Sequence, residues 1–205
     1  GELTKEWRTL GLQSPSQITT IGDQFGINEE TLKMHDIPAT WQWVALGNYS
    51  KCSRGKFTVR PRNDPTCFNG EYPFIQIGDL PKEGGLILTH NQTLNEKGLS
   101  VSKLFEAGTV VIAIVGATIA NTGILKYPMC FPDSLVGINS QTPDGNVYID
   151  YYLRANKEDI RQASYAGGGQ PNIKLTILNP LPLPLPPAEE QKEIVRRVES
   201  LFALA

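Results

Sequence analysis

Residues 109–115 are almost entirely apolar and β-branched, and Gly116 stops the run. A stretch of strand length with no polar side predicts a central strand buried on both faces. Shorter patterns surround it. Residues 41–46 alternate large apolar with smaller or polar side chains and meet Gly47, which predicts a strand or short element packing its aromatics inward. Residues 72–77, ended by Gly78-Asp79, predict another strand, and 86–89, 124–127, 134–138 and 173–178 predict four more. Residues 51–70, full of Pro, Asn, Asp and Gly, read as a loop, and so does 94–100. Residues 147–161 have helical spacing, with Ile149, Tyr152, Leu153 and Ile160 on one face. Gly167-Gly168-Gly169 then breaks the chain.

The two ends have a different texture. Thr4 is placed to cap a short helical turn carrying Trp7, and residues 10–40 read as a polar linker with one small helix capped by Asn28. Near the other end, proline occupies every second position from Pro180 to Pro186, which excludes a helix and predicts extended chain. A helix follows from Ala188, with Glu189 and Glu190 in its first turn. Ile194, Val198, Leu201 and Ala205 step by four, three and four, flanked by Val195 and Phe202, which predicts the start of a coiled-coil helix and a packing seam at Ile194, Val198, Leu201 and Phe202. The fold class expected is α+β. A twisted, mostly β domain at 37–186 follows a linker at 1–36 and precedes the helix at 187–205.

Composition adds bounds. The 205 residues are 40% hydrophobic and 20% charged, enough apolar material for a sizeable core. The formal net charge of −2 argues against a generally basic protein that coats nucleic acid. Cys52, Cys67 and Cys130 are odd in number and form no C-x-x-C pair, so reduced thiols and a cytoplasmic setting are expected. No apolar run reaches membrane-spanning length, and no membrane association is expected. The chain opens without an initiator Met, as an excised or processed fragment would.

Catalytic signatures fail one after another. The turn from Gly116 to Gly123 lacks the glycine spacing and the lysine of a phosphate loop. Asn179-Pro180-Leu181-Pro182 lacks the second adjacent proline and the aromatic that an adenine methyltransferase uses to hold the amino group. Glu190-Gln191-Lys192 sits on a helix rather than around a cation. His35 and His90 are far apart and build neither a triad nor a metal site. No catalytic residue and no metal ligand is assigned. One charge feature does stand out: Lys51, Arg54, Lys56, Arg60 and Arg62 are five bases within twelve residues, with no acid before Asp64 and with Phe57, Asn63 and Phe68 interspersed. Such guanidinium groups suit phosphates and guanine edges.

Six segments, in order, resemble a known family. Gly1 to Arg8 (GELTKEWR) resembles the end of a conserved helical spacer, and Ile37 to Gly47 (IPATWQWVALG) the P-x-x-W-x-W opening of a recognition domain. Tyr72 to Asp79 (YPFIQIGD), Val111 to Thr118 (ending VGAT), Gly169 to Ile173 (GQPNI) and Leu183 to Val198 (LPLPPAEEQKEIVRRV) continue the match. Together they resemble one target-recognition domain of the DNA-specificity subunit of a type I restriction-modification system, with its flanking helices.

That resemblance implies recognition of one half of a bipartite double-stranded DNA site. It implies modification subunits that methylate adenine at N6 with S-adenosylmethionine, and restriction subunits that add Mg2+- and ATP-dependent translocation and cleavage. No cofactor is then expected on this chain, which is not itself an enzyme. The spacer remnants at both ends match a second, C-terminal recognition domain, and a half-length subunit that self-associates through the C-terminal helix fits the same pattern. The alternatives left open are a structural adaptor, or a fragment of a stand-alone DNA methyltransferase or nuclease. From local charge and polarity, the DNA-contacting residues expected are Arg54, Lys56, Arg60, Arg62, Asn63 and Gln76, with Gly168 and Gln170 from the glycine turn.

Overall fold

Residues 110–113 of the apolar run become a strand that water does not reach. The structure, a computed structural model, describes residues 2–10, 18, 20–165 and 171–204. In chain order its strands are β1 (Gln42–Ala45), β2 (Lys51–Arg54), β3 (Phe68–Phe74), β4 (Leu86–Ile87), β5 (Gln92–Leu94), β6 (Leu104–Phe105), β7 (Val110–Ala113), β8 (Thr122–Leu125), β9 (Met129–Cys130), β10 (Leu135–Asn139) and β11 (Pro182–Leu185). Its α-helices are α1 (Lys5–Thr9), α2 (Leu46–Tyr49), α3 (Glu96–Ser100), α4 (Pro143–Ala155), α5 (Lys157–Ala163), α6 (Leu175–Leu178) and α7 (Ala188–Phe202).

β7 lies in the middle of a five-stranded sheet of order β2-β10-β7-β8-β4, antiparallel except for the parallel β4–β8 pair. Side chains alternate across a strand, so an all-apolar strand must serve two cores. Val110 and Ile112 enter a core closed by Ile149 and Leu153 of α4 and by Leu181, Leu183 and Leu185. Val111 and Ala113 enter a second core with Leu135, Phe105 and Phe131, whose rings stack at 4.0 Å. A four-stranded sheet of order β5-β3-β9-β6 adds a third cluster: Phe57, Cys67, Phe74, Leu94 and Cys130. All three cysteines are free thiols.

The proline-rich segment is extended, as its spacing requires, and it also pairs. β11 runs antiparallel to β1 with Gln42 opposite Leu185 and Val44 opposite Leu183. Successive residues of a strand turn their backbone groups to opposite edges. The leucines therefore face β1, while the prolines, which have no N–H to lose, face away. Their carbonyls are met by α4: the Tyr152 hydroxyl donates to Pro182 O at 2.6 Å, and the Tyr148 hydroxyl donates to Pro184 O.

Several sequence expectations need correction. Residues 51–54 form β2 at the sheet edge rather than a loop. Residues 96–100 form α3, whose N-terminus is capped by Asn95 Oδ1 accepting from Gly98 N at 3.0 Å. Asn28 caps no helix; its side chain accepts from Glu30 N at 3.0 Å in a local turn. The long helix begins earlier, at Pro143, where Thr142 caps it, and it divides at Asn156 into α4 and α5. Residues 175–178 are one helical turn, not strand. Ile173 and Leu178 both reach the first core, and residues five apart on a strand would face opposite ways. The Gly167–Gly169 break lies outside the described residues.

The helix at the C-terminus divides the seam read from its sequence. Val195 is buried and Ile194 packs beside it on the first core. Leu201 and Phe202 are each 58% exposed, although the Phe202 ring still lies 6.0 Å from that of Tyr151. Thr4 precedes α1 but spends its hydroxyl on Glu190 Oε1 at 2.6 Å rather than on a cap.

Glu193 makes α7 sensitive to acid. Its carboxylate accepts from Arg196 Nε at 2.8 Å and from Arg197 Nε at 2.6 Å, and these bonds, that of Arg196 foremost, hold its pKa down to about 2 from 4.5. A folded-state pKa below the unfolded one contributes stability that is fully present above pH 4.5 and is lost as pH falls towards 2. Glu193→Gln is expected to flatten the fall of thermal midpoint across that window relative to the parent chain. An unchanged acid slope would contradict this.

Candidate nucleic-acid interface

The basic segment is fastened to the turn that joins β9 to β10. Beyond β2, Gly55 N donates to Leu135 O at 2.9 Å and Lys56 N donates to Phe131 O at 3.0 Å. Only glycine fits here: a Cβ at position 55 would lie 2.2 Å from Pro132 O and 2.5 Å from Phe131 O. Phe57 then enters the third core, 5.0 Å from the Phe74 ring and 5.7 Å from Phe68. The aromatics interspersed among the bases are thus anchors for the segment, and Phe57, 3% exposed, is not a surface on which a base could stack.

The charged side chains remain outside. Arg54, Lys56, Arg60, Arg62 and Asn63 are all exposed. Asp133 organises two of them: its carbonyl accepts from Arg54 Nε at 2.8 Å, and its carboxylate accepts from Arg62 at 2.8 Å. The sequence showed no acid before Asp64, yet the fold brings one in from 71 residues away. Arg60 donates to Val59 O at 2.7 Å. Each guanidinium keeps further N–H groups for an anion, because five donors are available and only one or two are used.

The fold also recruits bases that the linear run did not contain. Phe57 forms an isolated antiparallel bridge with Ser102, which sets Lys103 beside the segment. The Lys103 ammonium lies 4.6 Å from the Phe105 ring centre. Its pKa is lowered, by partial burial first and then by the charge of Lys51. No local signal could have revealed Lys103, since the bridge joins residues 45 positions apart in the chain.

Gln76 belongs to the opposite flank of the same turn. Ile75 N donates to Cys130 O at 3.0 Å, and Lys56 N uses the next carbonyl, that of Phe131. Successive carbonyls of extended chain point to opposite sides, so the two segments bracket residues 130–131. Gln76 Nε2 donates to Gln92 Oε1 at 2.7 Å. Asp79 accepts from Gln76 N at 2.7 Å and from the Asn91 side-chain amide. His90 Nδ1 lies 2.7 Å from the Tyr127 hydroxyl. Gln92, Asn91 and Asp79 are not among the contacts expected from sequence, where Asp79 figures only as a strand end and as part of the YPFIQIGD segment. Gly168 and Gln170 lie outside the described residues.

Among the described residues no group of three or more His, Cys, Asp or Glu is arranged to hold a metal ion. No helix among them is long and apolar enough to cross a membrane.

The chain is similar to known specificity subunits. It is 31% identical over 172 residues to a putative type I restriction enzyme MjaX specificity subunit of Methanocaldococcus jannaschii, covering 81% of this chain and 37% of that one. It is 27% identical over 210 residues to the type I restriction enzyme EcoDI specificity subunit of Escherichia coli, covering 100% of this chain and 44% of that one. The HsdS subunit from Thermoanaerobacter tengcongensis shares its fold, with a TM-score of 0.64 at 19% identity over 84% of this chain and 40% of that one. The chain therefore spans less than half the length of these relatives. The family model of the type I restriction modification DNA specificity domain matches residues 38–205, and the chain belongs to that family.

Proposed function

We propose that this chain reads one half of a bipartite double-stranded DNA site and carries no catalytic group of its own. The observation that carries this reading is the exposed basic segment 51–62, held by main-chain bonds to residues 131–135 and joined by Lys103. Bases on a fixed backbone can set register against phosphates, while polar groups beside them read base edges. Arg54, Lys56, Arg60, Arg62 and Asn63 are the proposed contacts, with Gln76 on the opposite flank. Methylation and cleavage fall to partners: modification subunits using S-adenosylmethionine, and through them restriction subunits using Mg2+ and ATP. A net charge of −2 is compatible with this, because short-site recognition needs a local patch and not a basic protein.

The test is a DNA-binding measurement on the full specificity subunit in its modification complex. Arg60→Ala combined with Arg62→Ala is expected to weaken binding to cognate DNA and to reduce the salt slope by about 2, since each lost phosphate contact removes about 0.9. Affinity and slope both equal to the parent complex would remove this segment from the interface.

A further inference from the structure

We infer that Gln76 and Gln92 act as one unit that recognises adenine in the major groove. The inference rests on the DNA-reading function proposed above and deepens it.

The two side chains are exposed and hydrogen-bonded to each other at 2.7 Å. One amide N–H and one carbonyl lone pair are used in that bond. The Gln92 amino group and the Gln76 carbonyl keep the rest of their capacity. Whichever way the pair is turned, one amino group and one carbonyl remain outside that bond. Adenine shows the complementary pair on its major-groove edge: N7 accepts and the N6 amino group donates. Guanine offers two acceptors there, so it matches only half of the unit, and cytosine offers only a donor.

The unit is held in place before DNA arrives. Phe74 pairs with Gln92 at the end of the β3–β5 ladder, which fixes one strand against the other. Asp79 then ties the two segments together from the side. One of its oxygens accepts from Gln76 N at 2.7 Å, and the other accepts from the Asn91 side chain. Asp79 is a positioning residue, since its two oxygens hold the Gln76 main chain and the Asn91 side chain. A glutamine that must be fixed on binding loses rotamer freedom, and a pair already joined loses less. A shallow groove of about 390 Å³ opens beside Gln92, lined also by Asn69, His90 and Asn91. The polar surroundings leave room for water-mediated contacts to neighbouring bases.

The experiment measures binding of the assembled modification complex to a set of duplexes in which each base pair of the half-site is varied in turn. The parent complex is expected to prefer adenine at one position by about 5- to 150-fold. Gln76→Ala and Gln92→Ala should each abolish most of that preference at that position and leave the others intact. Gln92→Glu replaces the donor by an acceptor and is expected to move the preference towards cytosine, whose N4 donates. Thermal midpoints of the variants should match the parent, because both side chains lie on the surface. If no adenine position responds to either alanine substitution, the inference is overturned while the DNA-reading function stands. An equal loss of binding to every sequence at unchanged midpoint also overturns it, since the pair would then be a phosphate anchor. A parent complex that discriminates no base pair in this half-site defeats the function itself.

Discussion

Glu190→Ala is expected to lower the folding stability by about 3 kcal/mol, the lower end of what removing one partner of a buried ion pair costs. Glu190 is 0% exposed, and its Oε1 accepts from the Thr4 hydroxyl at 2.6 Å and from Arg8 at 2.5 Å. These contacts span more than 180 positions in sequence and fasten residues 2–9 to α7. Arg197 adds a second tie, donating to Leu3 O at 2.7 Å. Alanine leaves the Thr4 hydroxyl, 1% exposed, without this acceptor and leaves a cavity beneath α7. Glu190→Gln keeps the shape and one acceptor, so it should cost less. It does not restore the charge opposite Arg8. Urea unfolding of the three chains measures the difference. Trypsin supplies a local readout, because Lys5 and Arg8 lie on the fastened segment and should be cut faster in the alanine variant. Equal stability and equal cleavage would show that α1 is held by other contacts.

Some of this architecture is written locally and some is not. The 109–115 run specified β7 because an all-apolar, β-branched stretch has only one comfortable place, the middle of a sheet with cores on both sides. Proline spacing specified the extended chain at 182–185, but not the pairing with β1. That depends on Tyr148 and Tyr152 arriving from α4 to satisfy the outward carbonyls. The 173–178 segment misled for the opposite reason. Its composition favours a strand, yet Ile173 and Leu178 both reach one core by way of a helical turn at 175–178, and tertiary packing overrides propensity.

The candidate interface shows the same division. Arg54, Lys56, Arg60 and Arg62 were legible because they are neighbours in sequence. Asp133, Lys103 and Gln92 were not, because a β bridge and two hydrogen bonds, not proximity along the chain, bring them to those residues. Phe57 and Phe68 were read as companions of the bases and prove to be the hydrophobic bolts that hold the segment down. Here the apolar residues between exposed charges mark anchorage rather than contact, because their burial keeps the charges in fixed places.

Gly55→Ala ought then to damage the interface without touching a charge. A methyl group at this position meets Pro132 O at 2.2 Å and Phe131 O at 2.5 Å, and both are backbone atoms that no side-chain rotation can clear. Either the segment lifts away or the β9–β10 turn moves. Each outcome breaks the bonds from Gly55 to Leu135 and from Lys56 to Phe131, and each separates Arg54 and Arg62 from Asp133. Overpacking of this kind costs about 1–3 kcal/mol. Gly26→Ala is the control, because an added Cβ there meets nothing within 4 Å. DNA affinity of the Gly55 variant, measured in the assembled complex where it is still folded, should fall towards that of the Arg60→Ala, Arg62→Ala double variant, whereas the control should bind like the parent. Full affinity despite lost stability would mean that DNA itself arranges the bases, and that the fixed backbone behind them serves the fold alone.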